Sequence, residues 1–67
     1  MCEGTVSAIK AEGYGFIRRS RASDVFFHRR DMVDDAMFDE RLVERRVRFE
    51  LRDTDRGPRA SNVQLVD

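Results

Sequence analysis

Residues 12–17 read EGYGFI and residues 24–28 read DVFFH. Side chains alternate across a strand, so a core-facing Ile17 sends Tyr14, Phe16 and Arg18 to the opposite face. With Val25 and Phe27 turned inward, Phe26 and His28 face out. The opposite register would bury Arg18 and His28 while exposing Ile17, Val25 and Phe27, which costs far more. The polar RRSRAS segment between the two runs reads as the turn of a hairpin. Two neighbouring strands therefore present Tyr14, Phe16, Phe26 and His28 together, flanked by Arg18, Arg19 and Arg29. Gly13 and Gly15 read as leaving the flanks of Tyr14 open, so that a flat ligand can approach the backbone. A contiguous exposed aromatic patch marks an interaction surface.

Outward from this hairpin, residues 3–9 (EGTVSAI) alternate weakly and contain β-branched residues, which predicts a first strand. Val47, Phe49 and Leu51 alternate with Arg48 and Glu50 in a fourth. SNVQLV predicts a fifth, with DTDRGPR as a turn-rich connection before it, because Pro58 cannot donate to a ladder. Residues 29–45 read mostly as loop, with room for a turn of helix near Asp31, and FDERLVERR places Phe38 and Leu42 four apart in helical spacing. Five short strands without a firm helix predict an all-β fold, a five-stranded antiparallel barrel. No internal repeat or low-complexity linker interrupts it.

The chain has 67 residues, one domain (1–67), and a folded chain of this size buries only roughly 60% of the surface exposed when unfolded. One Cys (Cys2) and one His (His28) exclude a disulfide framework and a Cys/His zinc site built from its own side chains. No apolar run reaches a membrane span and MCEGTV lacks a signal-peptide pattern, so a reducing cytoplasm is the expected location. Thirteen basic residues balance thirteen acidic ones, yet residues 1–30 carry six and three while residues 31–67 carry seven and ten. The aromatic half is thus the basic half. Twelve of the thirteen cations are Arg, which pairs phosphate bidentately and stacks on flat rings, whereas Lys acts mainly as a point charge.

Flat rings ringed by guanidinium groups suit unstacked bases and their phosphates. Each stacked base contributes roughly 1–3 kcal/mol, so three or four with a few phosphate contacts would reach micromolar binding or better. The competing structural explanation is that the rings fill a core and the charges keep a small domain in solution. Four aromatic positions in phase on adjacent strands favour the binding surface.

The segments GYGFI and DVFFH resemble the two ribonucleoprotein-type motifs of the cold-shock domain family, whose common forms are KGFGFI and DVFVH. EGTV is similar to that family's first strand, VRFEL to its fourth and RGPRASNV to its last loop and strand, so the resemblance spans nearly the whole chain. It implies an OB-fold barrel that binds single-stranded RNA or DNA without cofactor, metal, membrane or small-molecule substrate, as an RNA chaperone or a regulator of transcription or translation. A monomer is the favoured state, although edge strands of small barrels can pair between chains. Carried over by position, the stacking residues are Tyr14, Phe16, Phe26 and His28, the loop aromatic is Phe38 and the basic loop residue is Arg56. Lys10, Arg18, Arg29 and Arg59 complete the expected nucleic-acid-binding set.

This chain also departs from the family pattern. Where the family's first strand reads KWFN, Ser7, Ala8, Ile9 and Lys10 stand here, so a Lys and a stacking Trp are missing. Glu12 replaces the Lys before the glycine motif and would repel phosphate. Arg29 replaces an aromatic, and its guanidinium can both stack and pair a phosphate. Arg45 occupies the place of a turn glycine, so the preceding loop is expected to take its own path. Ala8 and Glu12 favour a second reading, a barrel converted into a protein-interaction module. Catalysis finds no support: no nucleophile or carboxylate constellation surrounds His28. Cys2 reads as an inert small hydrophobe, and Asp34, Asp35, Asp39 and Glu40 lack the spacing and glycine of a calcium loop.

Overall fold

The period-two runs of the opening hairpin become the central strands of the computed structural model, which describes residues 2–66. The elements are β1 (Cys2–Lys10), β2 (Tyr14–Arg18), β3 (Val25–His28), β4 (Arg46–Thr54) and β5 (Gly57–Leu65). They close into a barrel in the order β1-β2-β3-β5-β4. Four pairings are antiparallel and the fifth, β3 with β5, is parallel, meeting at Phe26 and Arg59. The all-β, five-stranded barrel expected from the sequence is the fold observed, with that one parallel seam.

The core consists of Val6, Ile17, Val25, Phe27, Met32, Leu42, Val47, Phe49, Ala60 and Val63, with Cys2, Ile9, Phe38 and Leu65 packed against it. It contains the inward positions read for β2 and β3. Gly15 also points inward: a Cβ there would stand 2.6 Å from the Ala8 carbonyl oxygen and 3.0 Å from Phe27 Cε1. Its role is therefore to let β1 and the Phe27 ring close on β2, and not to open space for a ligand beside Tyr14. Gly13 has φ 103° in the β1–β2 turn, a conformation L side chains rarely adopt.

Two bulges explain the weak alternation of the flanking strands. In β1, Val6 pairs with Ile17 and Ala8 with Phe16, leaving Ser7 as the extra residue. The bulge inverts the parity, so Val6 and Ile9 both turn inward while Ala8 and Lys10 turn outward. In β5, Gln64 pairs with Arg48 and Ser61 with Glu50, so Asn62 and Val63 of β5 lie against Phe49 alone. Asn62 takes φ 51° and brings both Ala60 and Val63 to the core; Asn tolerates this left-handed conformation better than most residues.

The β4–β5 connection is shorter than the sequence suggests. β4 runs to Thr54 and β5 starts at Gly57, so Pro58 lies within the ladder opposite Asp53. Beyond Phe49, β4 has no pairing with β1 among the described residues and continues paired with β5 as an arm. Leu51 lies on this arm opposite Ala60, and is 39% exposed.

Residues 29–45 form three single turns of 3-10 helix, Arg29–Asp31, Asp35–Met37 and Glu40–Leu42. Each begins with a local acceptor. His28 Nδ1 accepts from the Arg30 amide, Asp34 Oδ1 from the Ala36 amide and Asp39 Oδ1 from the Arg41 amide. Two of the clustered acids thus cap turns, and among the described residues no group of three or more His, Cys, Asp or Glu is placed to hold a metal ion. The segment returns to the sheet through Glu44, which takes φ 70° where the family pattern has its glycine one residue later. Its amide donates to the Val6 carbonyl (2.7 Å), and the Val6 amide donates to the Arg45 carbonyl (3.0 Å).

Candidate nucleic-acid interface

Residues directly opposite in neighbouring strands point to the same face. The register therefore builds two outward rows across the sheet. One runs Lys10, Tyr14, His28. The other runs Ala8, Phe16, Phe26, Arg59, Arg52 through all five strands. These rows bring six of the expected site residues together.

The three rings of the face touch one another. Tyr14 and Phe26 stack with centroids 5.6 Å apart and 29° between planes, while Phe16 meets Tyr14 edge-on at 5.9 Å and Phe26 at 6.0 Å. Each is half-buried, partly by its neighbours. A cluster of this kind holds its rings in place before any ligand arrives, so less ordering entropy opposes stacking.

His28 ends the Tyr14 row with its orientation fixed from both sides. Its amide donates to Asp31 Oδ2 (2.9 Å), and its Nδ1 accepts from the Arg30 amide (3.1 Å). In the neutral ring the proton is thereby assigned to Nε2, the nitrogen nearer to Gly13. The Arg29 amide donates to the Gly13 carbonyl (2.9 Å), and the Arg29 stem lies beside Gly13. Lys10, Glu12, Gly13, His28 and Arg29 are therefore gathered around the β1–β2 turn, with Glu12 exposed on it.

The remaining expected residues divide. Arg18 is exposed at the end of β2 and pairs with Glu44 at 3.1 Å, which engages part of its charge. Arg19 donates to the Ser23 carbonyl (3.0 Å) and steadies the β2–β3 turn. Arg56 is exposed in the two-residue turn at the tip of the β4–β5 arm. Phe38, the expected loop aromatic, packs its ring edge-on to core Phe27 at 6.0 Å and is partly buried. In this arrangement Phe38 covers the core between two 3-10 turns and does not join the ring cluster. Asp31 is the residue that sequence reasoning missed, because its partners His28 and Arg59 converge only in the folded barrel.

Ala8 lies directly across from Phe16 on the exposed face, where the family pattern has Trp. Substituting Ala8→Trp should extend the row by one ring and tighten single-strand binding about fivefold or more. A fluorescence titration of the variant, which gains the chain's first Trp, checks this; unchanged affinity would mean that bases do not reach β1.

The sequence matches the model of the 'Cold-shock' DNA-binding domain over residues 2–66. It is also 44% identical over 59 residues to the Retron Se72 cold shock-like protein of Salmonella heidelberg, with 82% of each chain covered.

Proposed function

The chain belongs to the cold-shock domain family, and from that premise we propose that it binds single-stranded RNA or DNA by stacking bases on the Tyr14, Phe16 and Phe26 cluster. His28 extends the stacking surface on one row. Lys10, Arg29 and the exposed Arg56 supply phosphate contacts around it. The protein acts by binding alone, in the cytoplasm, as an RNA chaperone or a regulator of transcription or translation. Nothing in the proposed mechanism calls for a cofactor or a chemical step.

The observation that carries this reading is the run of Phe16, Phe26 and Arg59 on one outward row, with Tyr14 stacked on Phe26 beside it. Ring faces accept any base, and the cations at the edge of the face, Lys10, Arg29 and Arg56, follow the charged backbone, so the arrangement suits a flexible single strand better than a stacked duplex. Ala8 and Glu12 reduce affinity relative to a face with Trp and Lys at those positions. One lost stack weakens binding by about fivefold to more than a hundredfold.

Salt separates this function from a protein-interaction module on the same face. Single-strand affinity should fall along a log–log line with a slope near −0.7 for each phosphate neutralised. A peptide gripped by aromatic contacts would be nearly insensitive to salt. Titration of a labelled oligonucleotide across a salt series reads the slope directly.

A further inference from the structure

Arg59 continues the row of Phe16 and Phe26 onto β5, and its guanidinium carbon lies 5.7 Å from the centre of the Phe26 ring. Its neighbour across the β4–β5 ladder is Arg52, so two like charges stand opposite each other. Asp31 counters this. Its side chain is only 15% exposed, and Oδ2 accepts both from Arg59 Nε (3.1 Å) and from the His28 amide (2.9 Å). One carboxylate oxygen thus links the two outward rows, through His28 on one and Arg59 on the other.

We propose that Asp31 is a positioning residue that holds Arg59 over Phe26, so that the guanidinium meets a base rather than a phosphate. The pair carries no net charge, which makes it a poor site for releasing counterions from a phosphate chain. Held through Nε, the planar group keeps both Nη nitrogens as donors for a base edge and keeps its flat face as a stacking surface. The carboxylate also limits the rotamers of a long side chain, reducing the ordering cost when a strand binds. This deepens the single-strand function proposed above and rests on it.

The expected signs separate positioning from simple charge. Asp31→Asn removes a negative charge from a nucleic-acid face, and general electrostatics alone would tighten binding to every sequence. If Asp31 positions Arg59, Asp31→Asn weakens binding about fivefold or more. Asn retains an oxygen that can accept from the His28 amide, so the turn is expected to survive, and a thermal melt verifies it. Arg59→Gln should weaken binding similarly without changing the salt slope, and Arg59→Lys should not rescue it, because charge without planarity is insufficient. The double variant should lose little more than either single one.

The experiment combines anisotropy titrations of labelled oligo-dT and oligo-U across a salt series with the NMR signal of the Arg59 Nε–H group. The wild type should show a protected Nε–H whose protection falls in Asp31→Asn, because the remaining amide oxygen is a neutral and weaker acceptor. Equal or tighter binding by Asp31→Asn, or a slope that flattens by about 0.7 in Arg59→Gln, overturns the proposal while leaving single-strand binding in place. A folded wild type that binds neither oligonucleotide overturns the function and the base contact together.

Discussion

Replacing Phe16 and Phe26 by alanine together should weaken single-strand binding about thirtyfold or more and leave the barrel folded. The lower bound follows from two stacks at about 1 kcal/mol each, the least that alanine substitution of a stacking ring removes. The loss will not be a simple sum of the single effects, because the rings lie 6.0 Å apart and each supports the other. Both also touch Tyr14, so the double variant disturbs the third stacking surface as well. Folding should persist because both side chains stand on the outer face, opposite the buried side of the sheet. Lost ring contacts should cost about 0.5–1.5 kcal/mol of stability per pair, measurable by urea melt. Phe16→Leu is the informative control: it keeps apolar packing but removes the flat π-face. If Leu binds as well as Phe, base stacking is not the mode of recognition.

Phe27→Ala should give the opposite pattern one residue further along the same strand. Phe27 is fully buried, meets Phe38 edge-on, and lies in the space that Gly15 leaves open. Truncating a buried Phe costs about 3–5 kcal/mol through lost transfer energy and the cavity left behind. At 0.05–0.15 kcal/mol per residue, a chain of 67 residues has a total stability on the order of 3 to 10 kcal/mol. The variant should therefore be partly or wholly unfolded at room temperature, with its binding lost for that reason. Chemical denaturation followed by far-UV circular dichroism measures this. A loss below about 1 kcal/mol would place Phe27 outside the core and invert the whole face assignment.

The contrast between Phe26 and Phe27 was legible in the sequence because β2 and β3 keep a strict period of two, and only one register buries Ile17, Val25 and Phe27 without burying Arg18. The flanking strands were less legible for a local reason. The bulge at Ser7 lets Val6 and Ile9 face the core three residues apart, and Asn62 does the same for Ala60 and Val63. An extra residue of this kind carries no marker in a sequence read by alternation. Phe38 lay in a segment whose one periodic hint, its helical spacing to Leu42, gave no firm element, and its contact with Phe27 depends on how three short turns fold back. The same alternation puts Gly15 on the inward face, but its tight fit against the Ala8 carbonyl and the Phe27 ring depends on neighbours that only the folded sheet brings together. Asp31 belonged to no motif: its link to Arg59 spans 28 residues and exists only because β5 closes the barrel beside β3.

The balance of charge also takes a clearer form in the folded chain. Glu3 pairs with Arg46 at 3.1 Å and with Arg48 at 3.7 Å across the β1–β4 ladder, and Glu44 pairs with Arg18. These exposed pairs contribute little stability individually. They do engage several cations away from the ring cluster, while Lys10 and Arg29 lie at its edge beside the β1–β2 turn. Under the proposed function, local placement rather than the zero net charge of the chain decides where an anionic strand would be attracted.

The most direct test of single-strand binding is a fluorescence-anisotropy titration with labelled oligo-dT and oligo-U of about seven nucleotides, a length within the site size of one such barrel, beside a duplex control at two salt concentrations. The expected result is binding to the single strands, weaker at the higher salt, with little binding to the duplex. A sample shown to be folded that binds neither single strand at high micromolar protein, or that binds the duplex equally well, would contradict the account.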